Sequence, residues 1–181
     1  GNIMGGKLLE KIYKEDLSKA GSGNVGDRNT GRVLGTRSFV FALAVDFFKG
    51  FLIVILLNIL NVDAITIYVC ILFVILGNIK PLLFNFKGGK GVTVTCTWLI
   101  ILMPVWGTLS CMIGGAATII TGYLPLGAVL IPLMAMPFAF CFEGIKAGIF
   151  MVLAFVMMII KHYRGLINIV KGKEKKKRRS V

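Results

Sequence analysis

Long apolar runs constrain the fold of this sequence most strongly. Residues 39–60 read FVFALAVDFFKGFLIVILLNIL, residues 64–77 form a second apolar run, and residues 92–160 are apolar for most of their length. A run of about 20 apolar residues can cross the hydrocarbon core of a bilayer as an α-helix. The sequence therefore predicts an all-α integral membrane protein whose chain crosses the bilayer several times.

The basic residues indicate how these spans are oriented. The net charge is +13, and lysines and arginines crowd residues 1–38, 80–90 and 161–181. Basic segments beside membrane helices usually face the cytoplasm and its anionic lipid headgroups. Because residues 80–90 and the C-terminal segment are both basic, we expect an even number of spans between them. We predict four spans, and two spans with re-entrant pieces satisfy the same rule.

Composition bounds the class of protein further. Of the 181 residues, 56% are hydrophobic and only 16% are charged, which is unusual for a soluble domain. Nucleic-acid binding is disfavoured, because no soluble module presents the positive charge. The four cysteines lie in apolar stretches without a C-x-x-C pair, so we expect packed hydrophobic side chains and neither metal nor cofactor. We predict one membrane-embedded domain over residues 1–174 and a basic tail over residues 175–181.

The first polar segment that suggests chemistry is residues 21–32, GSGNVGDRNTGR. Its glycines allow backbone amides to approach an anion closely, and Ser22 offers a hydroxyl. Arg28 and Arg32 are permanently charged donors suited to phosphate, and their spacing places both on one face of a helix. We expect an anion-binding segment, and a flexible surface loop is the alternative.

The second polar segment is residues 86–92, FKGGKGV, between two long apolar runs. It is not a nucleotide-binding P-loop, because Phe84 stands at the first glycine position of that motif and Gly91 at its Ser or Thr position. Lysines supported by three glycines predict a second anion site at the bilayer edge. A basic loop that only sets the topology is the alternative.

Three charged or titratable residues stand out in the apolar helices. His162 is the only histidine, and a lone histidine is often structural. Its predicted position at the membrane edge, on the same side as the two polar segments, favours a role in one composite site. Asp46 and Lys49 lie three residues apart within the first span, which favours a structural ion pair on one helix face.

Together, these segments resemble the bacterial acyl-phosphate:glycerol-3-phosphate acyltransferase family, PlsY. The first motif of that family, approximately GSGNPGATNVLR, is matched by Gly21, Ser22, Gly23, Asn24, Gly26, Asn29 and Arg32. Its DxxKG is matched by Asp46, Lys49 and Gly50, and its second motif, FKGGKGVAT, by residues 86–92, with Thr93 in place of Ala. Its third motif, HRENIxxLLxGxE, is matched by His162, Gly172 and Glu174. Residues 1–9 resemble the end of the first family span, so we expect that most of one N-terminal helix is missing.

The resemblance implies a membrane enzyme with about seven spans. Such enzymes transfer a fatty acyl group from acyl phosphate to the 1-hydroxyl of glycerol 3-phosphate, giving lysophosphatidic acid and phosphate for phospholipid biosynthesis. We therefore expect a polytopic bundle of about six to seven transmembrane helices with three cytoplasmic motif loops, in a bacterial plasma membrane. The expected partners are acyl phosphate, glycerol 3-phosphate and membrane lipid, without a cofactor.

The resemblance also implies roles for individual residues. The catalytic residues would be Ser22, Arg32, Lys90 and His162. The residues that bind substrate phosphate would be Gly21, Gly23, Asn24, Gly26, Asn29, Lys87, Gly88, Gly89 and Gly91. No side chain clearly serves as general base in that family, so substrate phosphate is expected to take the proton from the attacking hydroxyl.

The sequence departs from the family pattern in all three motif regions. Asp27 and Arg28 replace an Ala-Thr pair, Asn78 replaces a His before the second motif, and Tyr163 and Gly165 replace an Arg and an Asn. The lost Asn removes a family substrate contact. Two alternatives therefore stay open: a catalytically impaired paralogue that binds anionic lipid or acyl phosphate, and, less favoured, an anion transporter, for which the sequence shows no internal repeat.

Overall fold

The computed structural model describes residues 1–174, and all regular secondary structure within them is helical. Their α-helices are α1 (Gly5–Tyr13), α2 (Asp27–Leu34), α3 (Thr36–Ile59), α4 (Ala64–Ile79), α5 (Val92–Leu102), α6 (Pro104–Thr121), α7 (Leu124–Phe138) and α8 (Ile145–Val170). A 3₁₀ turn, Leu82–Phe84, follows α4, and a π-helical turn, Ala139–Glu143, follows α7. The predicted all-α class is confirmed, and the predicted basic tail lies outside the described residues.

Five helical segments of the described chain are long and apolar enough to cross a membrane. They are Thr36–Ile59, Ala64–Phe84, Pro104–Thr121, Leu124–Glu143 and Ile145–Val170. Four spans were predicted for residues 92–160, whereas three of the four apolar helices in residues 92–170 are of spanning length and α5 has only 11 residues. At 1.5 Å per residue α5 is about 16 Å long, roughly half the hydrocarbon thickness of a bilayer. It is therefore shorter than a full span, and the even number of crossings between residues 80–90 and the C-terminal segment stays a prediction.

The first compact unit of the chain is Gly1–Trp98, in which α1, α2 and α4 each pack against α3. Glycines allow close approach within this unit. A Cβ on Gly5 would collide with the backbone of Ala42, and a Cβ on Gly6 would collide with the carbonyl oxygen of Val25. Small residues at such contacts are typical of membrane helices, because they let backbones approach each other closely.

The second compact unit begins at Leu99 and contains α6, α7 and α8. A Cβ on Gly114 of α6 would lie 2.6 Å from the carbonyl oxygen of Gly127 of α7, so these helices also meet through glycine. The indole of Trp106 stacks on Phe138, with the ring centroids 4.1 Å apart. The prediction of one domain over residues 1–174 stays a prediction.

Local chemistry explains several helix ends. Asp63 caps α4, because its carboxylate accepts a hydrogen bond from the backbone amide of Thr66 at 3.1 Å. Pro104 begins α6. Its missing N–H costs no hydrogen bond there, because the first amides of a helix have no partner within the helix. Gly122 ends α6 with a φ of 77°, a left-handed conformation that glycine adopts readily. These ends follow from residues that are neighbours in the sequence.

Candidate active site

The first candidate segment is the glycine-rich loop that leads into α2, and we call residues 21–26 the first glycine loop. Gly21 and Gly23 have φ angles of 61° and 70°, a region that residues with a Cβ rarely adopt. Gly26 is the N-cap of α2, and it offers no side chain to cap the helix. The amide of Asn29 donates to the Gly26 carbonyl oxygen at 3.0 Å, which leaves the amides of Asp27 and Arg28 as those that could face an anion at this end of the helix dipole.

Asn29 braces the first glycine loop from inside α2. Its side-chain oxygen accepts a hydrogen bond from the backbone amide of Ser22 at 2.7 Å. Its amide nitrogen donates to the carbonyl oxygens of Leu17 at 3.1 Å and Ala20 at 3.0 Å. The Asn29 side chain is only 2% exposed, whereas Ser22 is exposed. Its three hydrogen bonds hold the loop in shape, and the predicted phosphate-binding role of Asn29 stays a prediction.

The bracing role of Asn29 leads to a stability prediction. We expect Asn29→Ala to destabilise the fold by about 2–3 kcal/mol, because three hydrogen bonds to loop backbone groups are lost. Thermal unfolding of the detergent-purified protein measures this loss. Asn24→Ala is the matched control, because the Asn24 side chain makes no hydrogen bond within residues 1–174. Equal losses in the two variants would contradict the brace.

Two guanidinium groups lie on α2 directly after the first glycine loop. Arg28 is half-buried and Arg32 is exposed, one turn further along the helix. Burial, and then the charge of Arg32, lower the pKa of Arg28, so the two cations are close enough to repel each other. Within the described residues neither arginine forms an ion pair with a carboxylate. An anion bound near both groups would relieve this repulsion.

The second candidate segment, residues 86–91, is called the second glycine loop. Its anchor is Asn78, near the end of α4, whose carbonyl oxygen accepts a hydrogen bond from the amide of Gly89 at 2.9 Å. A Cβ on Gly88 would collide with the same carbonyl oxygen, so a side chain at this position would push the loop away. Lys87 is exposed and Lys90 is partly buried. The loop therefore presents two lysines in different environments.

The two glycine loops meet each other through their backbones. A Cβ on Gly89 would lie 3.6 Å from the Cα of Gly26, and a Cβ on Gly26 would lie 3.7 Å from the Cα of Gly89. Gly91 has a φ of 77° and directs the chain from the second loop into α5. Two segments that the sequence identified separately thus pack against each other in the first unit.

A buried ion pair is connected to the second glycine loop through Asn78. The Lys49 ammonium donates to the Asp46 carboxylate at 2.7 Å and to the carbonyl oxygen of Ile3 at 2.8 Å. It also donates to the side-chain oxygen of Asn78. The predicted Asp46–Lys49 pair is confirmed. Because Asn78 binds both Lys49 and Gly89, this pair is linked to the loop through a single buried residue.

Sequence reasoning missed the role of Asp27, the first residue of α2. Its carboxylate accepts a hydrogen bond from the hydroxyl of Thr93, in the first turn of α5, at 2.6 Å. Burial, and then the neighbouring carboxylate of Asp46, raise the pKa of Asp27 to about 6. The available signal was that Asp27 and Thr93 both stand where the family motifs carry Ala.

The third segment lies in the second unit, and its histidine is buried. His162 of α8 is 1% exposed. Gly165, one turn further, packs on Pro125, because a Cβ there would lie 3.0 Å from the Pro125 Cβ. A side chain at this position, such as the Asn of the family motif, would therefore collide with Pro125. The catalytic role of His162 stays a prediction.

The fold and these segments define a class of protein. It is a helical membrane protein in which two glycine loops pack together and one of them leads into a helix that carries two arginines. The family model for glycerol-3-phosphate acyltransferase matches residues 1–172, and the chain belongs to this family. It is thus a membrane acyltransferase, as the sequence resemblance predicted.

Individual relatives agree with the family assignment. The chain is 31% identical over 179 residues to the glycerol-3-phosphate acyltransferase of Finegoldia magna, covering 97% of this chain and 90% of that protein. It is also similar to a solved structure of PlsY (YgiH), an integral membrane glycerol 3-phosphate acyltransferase, in its glycerol 3-phosphate form. The TM-score is 0.89 at 26% identity, over 97% of this chain and 89% of that one. For the lysophosphatidic acid form of PlsY the TM-score is 0.84 at 25% identity, over 94% of this chain and 86% of that one.

Proposed function

We propose that this acyltransferase uses acyl phosphate as donor and the 1-hydroxyl of glycerol 3-phosphate as acceptor. The observation that carries the proposal is the meeting of the two glycine loops beside an arginine pair that has no acidic partner within residues 1–174. Both substrates carry phosphate, which open backbone amides and guanidinium groups bind well. The glycerol 3-phosphate and lysophosphatidic acid forms of the similar PlsY structures support this choice of acceptor and product.

The proposed chemistry needs positioning and charge neutralisation more than an activated side chain. The 1-hydroxyl oxygen attacks the acyl carbonyl carbon, a new ester C–O bond forms, and the C–O bond to the phosphate leaving group breaks. The proton of the hydroxyl passes to a substrate phosphate oxygen. Ser22, Arg32 and Lys90 bind the phosphates and hold the two substrates together, which lowers the barrier through proximity and electrostatic stabilisation. His162 contacts substrate in this scheme on the strength of the sequence resemblance.

The remaining site residues have supporting roles in the proposal. Backbone amides of Gly21, Gly26, Gly88 and Gly91 line the phosphate site, with Asn24 and Lys87 at its edge and Asn29 as the brace. Gly23 and Gly89 shape the site, because their amides donate to the carbonyl oxygens of Ala20 and Asn78. The motif loops and the C-terminus face the cytoplasm of a bacterial cell. The placement of lysines and arginines beside the apolar helices supports this orientation.

Release of inorganic phosphate tests the proposed reaction. The purified protein in lipid vesicles is given palmitoyl phosphate with and without glycerol 3-phosphate, beside a Lys90→Ala control. We expect phosphate release that depends on the acceptor, with lysophosphatidic acid formed in equal amount, and loss of both in the control. Folded protein that releases no phosphate above the control would overturn the proposal and favour a binding paralogue.

A further inference from the structure

A hydrogen bond links the residues that follow the two glycine loops. Asp27 directly follows Gly26, the last residue of the first loop, and Thr93 follows Gly91, the last residue of the second, by two positions. The Thr93 hydroxyl donates to the Asp27 carboxylate at 2.6 Å, across 66 residues of sequence. This bond lies next in sequence to the place where Gly26 and Gly89 meet.

The Asp27 carboxylate depends on this hydrogen bond because it is buried. The Asp27 side chain is buried, and its second carboxylate oxygen, Oδ1, has no hydrogen-bond donor within residues 1–174. The neighbouring charged groups come from α3, where Asp46 repels the Asp27 carboxylate and Lys49 attracts it. A buried carboxylate needs donors to offset its lost hydration. Among the described residues Thr93 supplies the one hydroxyl that does so.

We propose that Asp27 and Thr93 form a clamp that sets the spacing of the two glycine loops and so positions the substrate phosphate. Asp27 is thus a positioning residue, since it acts through the loop amides. The family motifs carry Ala at both positions, so the clamp distinguishes this chain from that pattern. The identity of the bound phosphate, glycerol 3-phosphate, rests on the proposed function.

A double-mutant cycle tests the clamp. Wild type, Asp27→Ala, Thr93→Val and the double variant are assayed in lipid vesicles for kcat and for the KM of glycerol 3-phosphate. We expect each single variant to raise this KM about tenfold with a smaller change in kcat, because losing a hydrogen bond to a charged group is worth a factor of this size. The double variant is expected to match the single variants, since all three lack the same bond.

Thr93→Ser is the matched control, because it keeps the hydroxyl and removes only a methyl group. We expect its KM to stay within about twofold of wild type. Thermal unfolding of each variant separates the clamp from a structural role, which would lower the unfolding temperature and leave the KM of the folded protein unchanged. Unchanged KM in the single variants, or single effects that multiply in the double variant, would overturn the clamp.

The affinity for inorganic phosphate gives a readout that does not need turnover. Measured by calorimetry on the same proteins, the phosphate Kd is expected to rise in both single variants and to rise no further in the double variant. If the variants show this pattern of phosphate affinity but the wild type transfers no acyl group, the clamp is retained and the proposed function is overturned. Acyl transfer with independent effects of the two substitutions would retain the function and overturn the clamp, as would the absence of phosphate binding.

Discussion

Replacing Arg32 with alanine is expected to lower kcat/KM for glycerol 3-phosphate by about 10²–10³-fold. The guanidinium lies in the last turn of α2, one turn after Arg28, has no carboxylate partner within residues 1–174, and is exposed. Removing one preorganised donor to a developing or bound anionic charge typically costs a factor of this size. Steady-state phosphate release with varied acceptor at saturating palmitoyl phosphate measures the change.

Arg37→Ala is the matched control for Arg32. Arg37 is also an exposed arginine, near the start of α3, but it stands outside both glycine loops and outside α2. We expect kcat/KM of this variant to stay within about threefold of wild type, because an exposed charge away from the site contributes little. Equal losses in the two variants would show that general surface charge, and not a phosphate contact of Arg32, determines the rate.

Removing the carboxylate of Asp46 is expected to destabilise the protein by roughly 3–5 kcal/mol. The Asp46→Ala substitution leaves the Lys49 ammonium hydrogen-bonded only to the neutral acceptors of Ile3 and Asn78, with Asp27 as a carboxylate nearby that does not pair with it. A buried ammonium without its carboxylate partner costs more free energy than the ion pair contributed to stability. The net contribution of the pair is small, because burying both charges already costs hydration energy. Thermal and denaturant unfolding in detergent measure the loss.

The double variant Asp46→Leu with Lys49→Met is the informative control for the ion pair. It removes both charges, so we expect it to recover most of the stability that Asp46→Ala loses. We expect the double variant to be less active than wild type. Asn78, which binds the second glycine loop through its carbonyl oxygen, loses the ammonium that holds its side chain. A double variant less stable than Asp46→Ala would show that the charges themselves, and not their pairing, stabilise the fold.

Much of the fold followed from the sequence because its determinants are local. An apolar run of the length of α3 has one stable form across a bilayer, and the predicted span 39–60 lies within three residues of the observed Thr36–Ile59. The Asp46–Lys49 pair was predictable for the same reason, since residues three apart on a helix are neighbours whatever the rest of the chain does. The glycine spacing likewise identified both loops as segments that anions can approach.

Only the tertiary structure determined which residues contact each other across the chain. The sequence predicts that Asn29 contacts a ligand, and the structure shows that its side-chain amide donates hydrogen bonds to the carbonyl oxygens of Leu17 and Ala20. The Asp27–Thr93 bond and the contact of Gly165 with Pro125 join residues far apart in the chain. Hydropathy and spacing report the neighbours of a residue along one helix, whereas these contacts depend on how helices pack. The sequence by itself therefore determined the membrane helices and the loops, and the packing of those helices determined the brace, the ion-pair support and the clamp.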